Sequence, residues 1–272
     1  MARKQLLKSC FLFTQFCMYP YIEFLSRQIP TYGFCLLTAI IFVVFLSTIS
    51  AKKVGYTFYD LLIVGGFALL FALPFGSILY AIVTYTFNQI INYVIEGNFN
   101  VFGGLVFYGA FIGGILGAVL GVRIAKLNLG IIEKIVVPYI PIGHAIGRIG
   151  CLLAGCCYGM EYNGPFALYY QNSITGVSCE IGHFPVQIIE AILNVGVFLF
   201  LLLMSKKVKK RFELLSIYMI LYGIIRFLLE FLRGDKIRGV YFGFSTSQWI
   251  SLALILLGCL YFFRLKLYPS KN

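Results

Sequence analysis

The sequence predicts an all-α, polytopic membrane protein, a single bundle of about seven transmembrane helices with a small external cap. Charged residues make up only 12% of the chain, about half the roughly 25% that is usual in soluble domains. Hydrophobic residues make up 60%, and most of them fall in runs near the ~20 residues that cross a bilayer. Basic residues cluster in alternate loops between these runs. We therefore expect lipid, rather than water, to surround most of the chain.

The candidate membrane spans follow from the apolar runs. Their approximate bounds are 31–50, 60–84, 103–122, 131–154, 185–204, 213–232 and 243–263. Residues 1–30 begin with basic residues, but prolines break their apolar stretch before it can span, so we expect an interfacial lead-in. Residues 155–184 are too short for a core of their own, and we expect them to form an external cap on the bundle. Residues 1–272 are thus expected to form one transmembrane domain.

The distribution of basic residues predicts the orientation. They follow the first, third, fifth and seventh spans, whereas residues 85–102 and 155–184 contain no Lys or Arg. By the positive-inside rule, the N-terminus lies outside and the C-terminus in the cytoplasm. The basic residues that run against this pattern are Arg3, Lys4, Lys8 and Arg27 before the first span, and Arg233, Lys236 and Arg238 after the sixth. The net charge is +12, and the basic residues cluster at loop ends beside apolar runs. This distribution favours acidic lipid headgroups over nucleic acid as the partner.

The stretch 143–159, GHAIGRIGCLLAGCCYG, places an arginine inside the fourth span. A guanidinium in hydrocarbon costs at least ~2.5 kcal/mol on insertion scales, so Arg148 marks a candidate functional site. His144 precedes Arg148 by one helical turn and shares its face. A neutral imidazole at that position is either a base or a hydrogen-bonding group at the helix end.

A second polar stripe lies in the sixth span. Tyr222, Arg226, Glu230 and Arg233 recur at i, i+4, i+8 and i+11 and share one helix face. With the predicted topology this stripe and Arg148 face the same, outer leaflet, and arginines there suit the phosphate of an anionic phospholipid. Alternatively, Arg226 and Glu230 merely satisfy each other across one turn, which would leave Arg148 unpaired.

The cysteines fall into two groups. Four lie in or beside apolar segments and are expected to be small buried hydrophobes: Cys10, Cys17, Cys35 and Cys259. The others are Cys151, Cys156, Cys157 and Cys179, which form either packed thiols or a disulfide from Cys156 or Cys157 to Cys179. Their spacing lacks the paired C-x2-C units of structural zinc sites, so no metal is predicted. His183, just before the fifth span, is expected to orient the external loop.

These residues resemble a known family. GRIGCLLAGCCYG (147–159) is similar to the signature of the prolipoprotein diacylglyceryl transferases. Further landmarks that resemble the family, in order and spacing, are Tyr32-Gly33, GGLVFYGAFIGG (103–114), HFPVQIIEA (183–191), YGIIRFLLEFLRGD (222–235) and FSTSQWISL (244–252). The resemblance covers about residues 18–264 and implies a multi-pass protein of the bacterial cytoplasmic (inner) membrane.

The chain also departs from the family pattern. The family's histidine in the third span is Tyr108 here. Its two signature asparagines are Cys151 and Ala154, and its signature glutamate is Cys156.

The resemblance implies transfer of a diacylglyceryl group from phosphatidylglycerol to the lipobox cysteine of preprolipoproteins, a step of lipoprotein biosynthesis that requires no cofactor. A thioether forms and glycerol phosphate leaves. The implied partners are phosphatidylglycerol, preprolipoprotein lipobox segments and the lipid bilayer, without nucleic acid. The alternatives are a divergent paralogue that acts on another acceptor or lipid, and a non-catalytic protein that binds anionic phospholipids.

The reaction sets two demands that assign roles to residues. The acceptor thiol, with a pKa near ~8.5, must become a thiolate, and the departing phosphate needs stabilisation at low dielectric. The candidate catalytic residues are Arg148, Arg226, Glu230, Tyr108 and Tyr32, and the candidate substrate-binding residues are Arg148, Arg226, Arg233, Gln248 and His144. Glu230 is expected to orient Arg226. Tyr108, with a reference pKa of ~10, is a poor base at neutral pH, and His144 is a substitute for that role.

Overall fold

The computed structural model describes residues 15–24, 27–104, 106–177, 180–208, 210–234 and 240–267. Within these residues the chain is mainly helical. The helices are α1 (Thr31–Lys52), α2 (Phe58–Thr84), α3 (Phe87–Ile95), α4 (Phe107–Ile124), α5 (Leu129–Val136), α6 (Ile140–Ala154), α7 (Val186–Ser205), α8 (Glu213–Glu230) and α9 (Thr246–Leu267). The strands are β1 (Gln15–Cys17), β2 (Tyr21–Phe24), β3 (Arg27–Pro30), β4 (Tyr169–Gln171), β5 (Val240–Tyr241) and β6 (Phe244–Ser245).

Five segments of the described chain are long and apolar enough to cross a membrane. They are α1, α2, α5 with α6 (Leu129–Ala154), α7 and most of α9 (Thr246–Arg264), and a shorter apolar helix covers Gly109–Ile124. The predicted polytopic helical membrane fold is thereby confirmed. Helix α8 is more polar, since its 18 residues include Glu213, Arg226 and Glu230. The expected total of seven spans stays a prediction.

Two segments contain structure that the sequence analysis missed. Residues 15–24 and 27–30 contain β1 and the antiparallel pair β2–β3, and β1 pairs in parallel with β4 of the segment 155–184. Residues 85–102 contain α3 and a 3₁₀ turn at Phe99–Phe102. The start of α3 has a capping interaction, because the Thr86 N–H donates to Gln89 Oε1 at 2.9 Å. The strands and the 3₁₀ turn are too short to give a clear hydrophobic period, whereas the apolar residues of α3 recur at i, i+3, i+4, i+7 and i+8, a helical signal that the sequence contains.

The chain divides into two compact units, residues 44–135 and residues 1–43 with 136–272. The expectation of one transmembrane domain stays a prediction. Within the first unit, α4 packs on α2 through glycines at every fourth position: Gly109, Gly113, Gly117 and Gly121. A Cβ at Gly117 would lie 2.2 Å from the carbonyl oxygen of Phe67. The absence of side chains thus allows the two helix backbones to touch, as in other small-residue membrane interfaces.

The second unit contains α6, α7, α8 and α9, which pack in that order. A core formed by Val137, Leu201, Leu214 and Tyr218 joins α7 and α8 to the turn before α6. Helices α8 and α9 approach closely at Gly223, where a Cβ would lie 3.0 Å from the Ser251 carbonyl oxygen. This close packing allows polar side chains of neighbouring helices to reach one another.

The end of α6 is a tight reversal. Gly155 has a φ of +69°, a left-handed conformation that glycine adopts without a steric penalty. The Cys156 N–H donates to the Cys151 carbonyl at 3.0 Å and the Gly155 N–H to Leu152 at 3.1 Å, as in a Schellman cap. The Ser173 hydroxyl donates to the Gly155 carbonyl at 2.6 Å. The turn therefore brings the residues after α6 back beside its last turn and fastens them to the loop near β4.

Candidate active site

Four charged side chains on three helices form a continuous series of ion pairs. Arg148 Nη2 on α6 lies 2.8 Å from Glu190 Oε1 on α7. The other oxygen of Glu190 lies 3.6 Å from Arg226 Nη1 on α8, and Arg226 Nη2 lies 2.6 Å from Glu230 Oε2. The charges alternate in sign, so each buried guanidinium is compensated by a carboxylate.

The start of α9 supports this series through its polar side chains. The Ser245 hydroxyl donates to Glu230 Oε1 at 2.9 Å, and Arg226 Nη2 donates to the Ser247 hydroxyl at 3.3 Å. Gln248, expected to bind substrate, accepts from the Ser245 N–H at 2.9 Å while its own N–H donates to Ser245 Oγ at 3.2 Å. Gln248 thus caps α9 and holds Ser245 against Glu230.

The two arginines differ in how open they are. The Arg148 side chain is 17% exposed, whereas that of Arg226 is only 8% exposed. Among the described residues, Arg226 Nη1 makes no hydrogen bond. A cavity of about 350 Å³ lies between α6 and α7, and its lining is apolar apart from Arg148 and Gln187. The arrangement therefore offers a guanidinium at the edge of an apolar cleft and a second, deeper guanidinium, whose Nη1 is ion-paired with Glu190 at 3.6 Å.

Glu190 is the main site residue that the sequence analysis missed. The structure pairs Arg148 with it, so the expectation that an Arg226–Glu230 pair would leave Arg148 unpaired was wrong. Gln187, Glu190 and Asn194 recur at i, i+3 and i+7 and form a buried polar stripe on α7. A carboxylate in an apolar span is itself a sign of function, and this signal was present in the sequence.

His144 and Tyr32 occupy different surroundings. The Tyr218 hydroxyl lies 2.8 Å from His144 Nδ1, and the Tyr222 ring lies 5.0 Å from the imidazole, so His144 joins α6 to α8. Tyr32, on α1, is 43% exposed. It lies beside Gly150 of α6, where a Cβ would be 3.5 Å from the Tyr32 ring.

Tyr108 lies in the other compact unit, residues 44–135, in the first turn of α4. The structure describes its backbone position alone.

Three polar side chains organise the segment 155–184 and join it to α7. His183 Nδ1 donates to the Gly159 carbonyl at 3.0 Å, so His183 does orient the loop. The Tyr170 hydroxyl donates to Gln187 Oε1 at 3.0 Å, and Gln187 Nε2 donates to the Cys156 carbonyl at 2.9 Å. Burial raises the pKa of Tyr170, so its hydroxyl stays a donor at neutral pH.

Arg233 follows α8 and reaches the same loop. Its backbone pairs with Gly159 in an antiparallel bridge, and the Gly234 N–H donates to the Tyr158 carbonyl at 3.1 Å. The end of α8 is thereby joined to the segment that follows α6.

Three cysteines meet at this junction. The sulfur atoms of Cys151, Cys156 and Cys157 lie within 4.8 Å of one another. The pKa of the Cys157 thiol is lowered by hydrogen bonds from the other two thiols, and further by nearby guanidinium groups. Cys179, the expected disulfide partner, lies outside the described residues.

The comparisons with known proteins agree on one family. The model of the family "Prolipoprotein diacylglyceryl transferase" matches residues 21–264. The phosphatidylglycerol–prolipoprotein diacylglyceryl transferase of Clostridium tetani is 36% identical over 245 residues, which cover 88% of this chain and 94% of that protein. The phosphatidylglycerol–prolipoprotein diacylglyceryl transferase 2 of Clostridium perfringens is 41% identical over 164 residues, which cover 60% of this chain and 63% of that protein. A transferase of the same name from Dehalococcoides mccartyi is 35% identical over 160 residues, covering 58% and 60%.

Apolar helices and these matches together describe a multi-pass bacterial membrane protein. Because the family model covers most of the sequence and the Clostridium tetani relative aligns over nearly its whole length, the chain belongs to the prolipoprotein diacylglyceryl transferase family.

Proposed function

We propose that this chain transfers the diacylglyceryl group of phosphatidylglycerol to the lipobox cysteine thiol of preprolipoproteins. The observation that carries this proposal is the ion-pair series from Arg148 to Glu230 beside an apolar cleft. The names of its relatives support the same activity.

The donor lipid fits the polarity of the site. Its phosphate would bind Arg148, the more exposed guanidinium, and the positive charge of the deeper Arg226 would add to its stabilisation. Arginine suits this task because its planar fork matches phosphate oxygens and its charge is permanent. An acyl chain would lie in the apolar cavity between α6 and α7. Arg233 is proposed to complete the binding of the headgroup.

The chemistry requires stabilisation of a departing phosphate. The acceptor thiolate forms a C–S bond to the glyceryl carbon while the C–O bond to the phosphate breaks, and the electron pair stays on the glycerol phosphate. Guanidinium groups held in place before the reaction stabilise this charge without reorganising. Glu190 and Glu230 hold them, and Gln248 contributes through its cap on α9. Tyr32, Tyr108 and His144 are proposed to assist acceptor binding or proton transfer.

The orientation is proposed from the basic residues. The N-terminus lies outside, the C-terminus lies in the cytoplasm, and the site opens toward the outer leaflet of the cytoplasmic membrane.

Mass spectrometry of a synthetic lipobox peptide, incubated with the purified protein and phosphatidylglycerol, tests the proposal. We expect a diacylglyceryl mass gain on the peptide cysteine. The Arg148→Ala variant should lower the rate by about 10²–10³-fold, the usual effect of removing one charge-stabilising donor. Arg148→Lys should fall between that variant and the unchanged protein, since it keeps the charge but loses the fork.

Arg264→Ala is the matched control, because Arg264 lies exposed near the end of α9, away from the ion pairs. Protein that binds phosphatidylglycerol yet gives no mass gain on the peptide would contradict the assigned reaction.

A further inference from the structure

The thiols of Cys151, in the last turn of α6, and of Cys156 and Cys157, just after that helix, have the geometry of a metal site. Their sulfur atoms lie within 4.8 Å of one another. Zinc–sulfur bonds of about 2.3 Å place the ligands of a tetrahedral site about 3.8 Å apart. Small rotations of Cys151, Cys156 and Cys157 would therefore bring all three sulfurs into contact with one ion.

The local structure keeps the three residues together. Cys151 lies in the last turn of α6, and the reversal at Gly155 returns the chain beside it. Gln187 fixes the Cys156 carbonyl at 2.9 Å. Cys157 has a φ of 61°, which a residue with a side chain adopts only where its surroundings impose it. The cluster is a built arrangement and not a chance meeting of mobile side chains.

Charge and exposure favour a bound cation with a free coordination position. Three thiolates in a partly buried place would repel one another, and a divalent ion removes most of that cost. Cys151 is buried, whereas Cys156 and Cys157 are only partly buried, so the cluster is partly accessible from outside. Three protein ligands with one open position are typical of catalytic rather than structural zinc sites.

We propose that Cys151, Cys156 and Cys157 hold a thiophilic metal ion such as Zn²⁺, and that its open position binds the acceptor cysteine as a thiolate. This inference rests on the proposed function, and it names a means of activating the thiol. A thiol that coordinates such an ion is deprotonated.

The step balances without a redox partner. The acceptor S–H proton passes to solvent as the metal–sulfur bond forms. The bound sulfur then forms the C–S bond to the glyceryl carbon, the C–O bond breaks, and glycerol phosphate leaves with the electron pair. The thioether product binds the ion more weakly than a thiolate does, so the three cysteines retain the ion.

Titration of the reduced, metal-free, full-length protein in detergent with Co²⁺, followed by Zn²⁺ competition, tests the site. Thiolate-to-cobalt absorption reports sulfur ligands directly. Loss of a side chain that only supports a metal ligand weakens binding about 10- to 100-fold. We expect one ion per chain and a larger loss of affinity in Cys151→Ser, Cys156→Ser or Cys157→Ser, because each removes a ligand. Cys259→Ser, a free cysteine in α9, is the control and should bind as the unchanged protein does. Binding no tighter than that of the triple serine variant would overturn the proposal.

A second measurement tests the open position. Adding a lipobox peptide to the cobalt-loaded protein should change the spectrum, whereas the same peptide with serine in place of cysteine should not. An unchanged spectrum would overturn the role in thiol binding.

Neither the cobalt titration nor the spectral change with peptide requires catalytic turnover. The metal site and the proposed function can therefore be contradicted separately. Full transfer activity in protein stripped of metal would overturn the role of the ion in activating the thiol and leave the proposed function standing. A well-formed cobalt site in protein that transfers nothing would contradict the proposed function.

Discussion

Glu190 is the residue on which the ion pairs of the site converge. Its carboxylate contacts Arg148 at 2.8 Å and Arg226 at 3.6 Å, and its side chain is 2% exposed. Both arginines come from other helices, so one carboxylate on α7 compensates charge on α6 and α8. Removing one partner of a buried ion pair typically costs 3–5 kcal/mol, because the remaining charge is left uncompensated.

Glu190→Gln should therefore lower both stability and transfer activity. The amide keeps the shape of the side chain but not its charge, so the guanidinium groups lose the anion that fixes them. We expect a lower thermal midpoint in detergent, and a transfer rate reduced well beyond the change in folded fraction. Glu161→Gln, at an exposed position in the loop after α6, serves as the control. Unchanged activity in Glu190→Gln would show that the two arginines need no carboxylate between them.

At the scale of single residues, the sequence indicates which charged residues belong to the site better than it indicates which of them contact one another. The i, i+4 relation of Arg226 and Glu230 appears directly in the helical pattern, and the structure contains that pair. The contact of Arg148 with Glu190 joins residues of two helices that lie 42 positions apart in sequence, and no local period encodes it. Gln248 has a helix-cap contact because Ser245 precedes it by three residues, a spacing that is visible in the sequence. The contact of Gln248 with substrate stays a prediction.

Helix α4 shows how glycine spacing determines packing between elements. Its glycines face the carbonyl groups of α2, and a Cβ at Gly117 would lie 2.2 Å from the Phe67 oxygen. At Gly66, in α2, no atom lies within 4 Å of the position that a Cβ would take. An alanine at Gly117 therefore tests the helix–helix contact, whereas an alanine at Gly66 tests helix propensity alone.

Gly117→Ala should destabilise the protein, and Gly66→Ala should not. The first substitution forces two backbones apart, and overpacking of this kind costs typically 1–3 kcal/mol. The second gains up to about 1 kcal/mol of helix propensity with no clash. Thermal unfolding of both variants in the same detergent measures the difference. Equal midpoints would contradict the close α2–α4 contact.

Long elements follow from hydropathy, whereas short ones do not. The expected span 131–154 is helical at both ends, but a 3₁₀ turn at Val137–Tyr139 separates α5 from α6. Pro138 lies in that turn and Pro141 in the first turn of α6. Since proline donates no backbone hydrogen bond, both residues suit a break or a start and not a helix interior. The strands have two to four residues each, too few for an alternating pattern to stand out.

At the scale of the whole molecule, charge is distributed unevenly among the loops. Residues 85–102 and 155–184 contain no Lys or Arg, whereas the seven residues from Ser205 to Arg211 contain five. Such asymmetry orients membrane proteins because short basic loops are retained on the cytoplasmic side. An odd number of crossings places the two termini on opposite sides, and an even number places them on the same side.

Paired reporter fusions distinguish these arrangements. A fluorescent protein that folds only in the cytoplasm should be bright after residue 272 and dark when inserted within residues 85–102. A phosphatase that is active only outside should give the opposite result at both places. Because 85–102 and the C-terminus are then assigned independently, a reporter that is bright within 85–102 and dark after residue 272 would mean that the basic loops do not set the orientation. The cleft beside Arg148 would then have to be approached from the cytoplasmic leaflet, and a lipobox peptide added to sealed, right-side-out vesicles would gain no diacylglyceryl group.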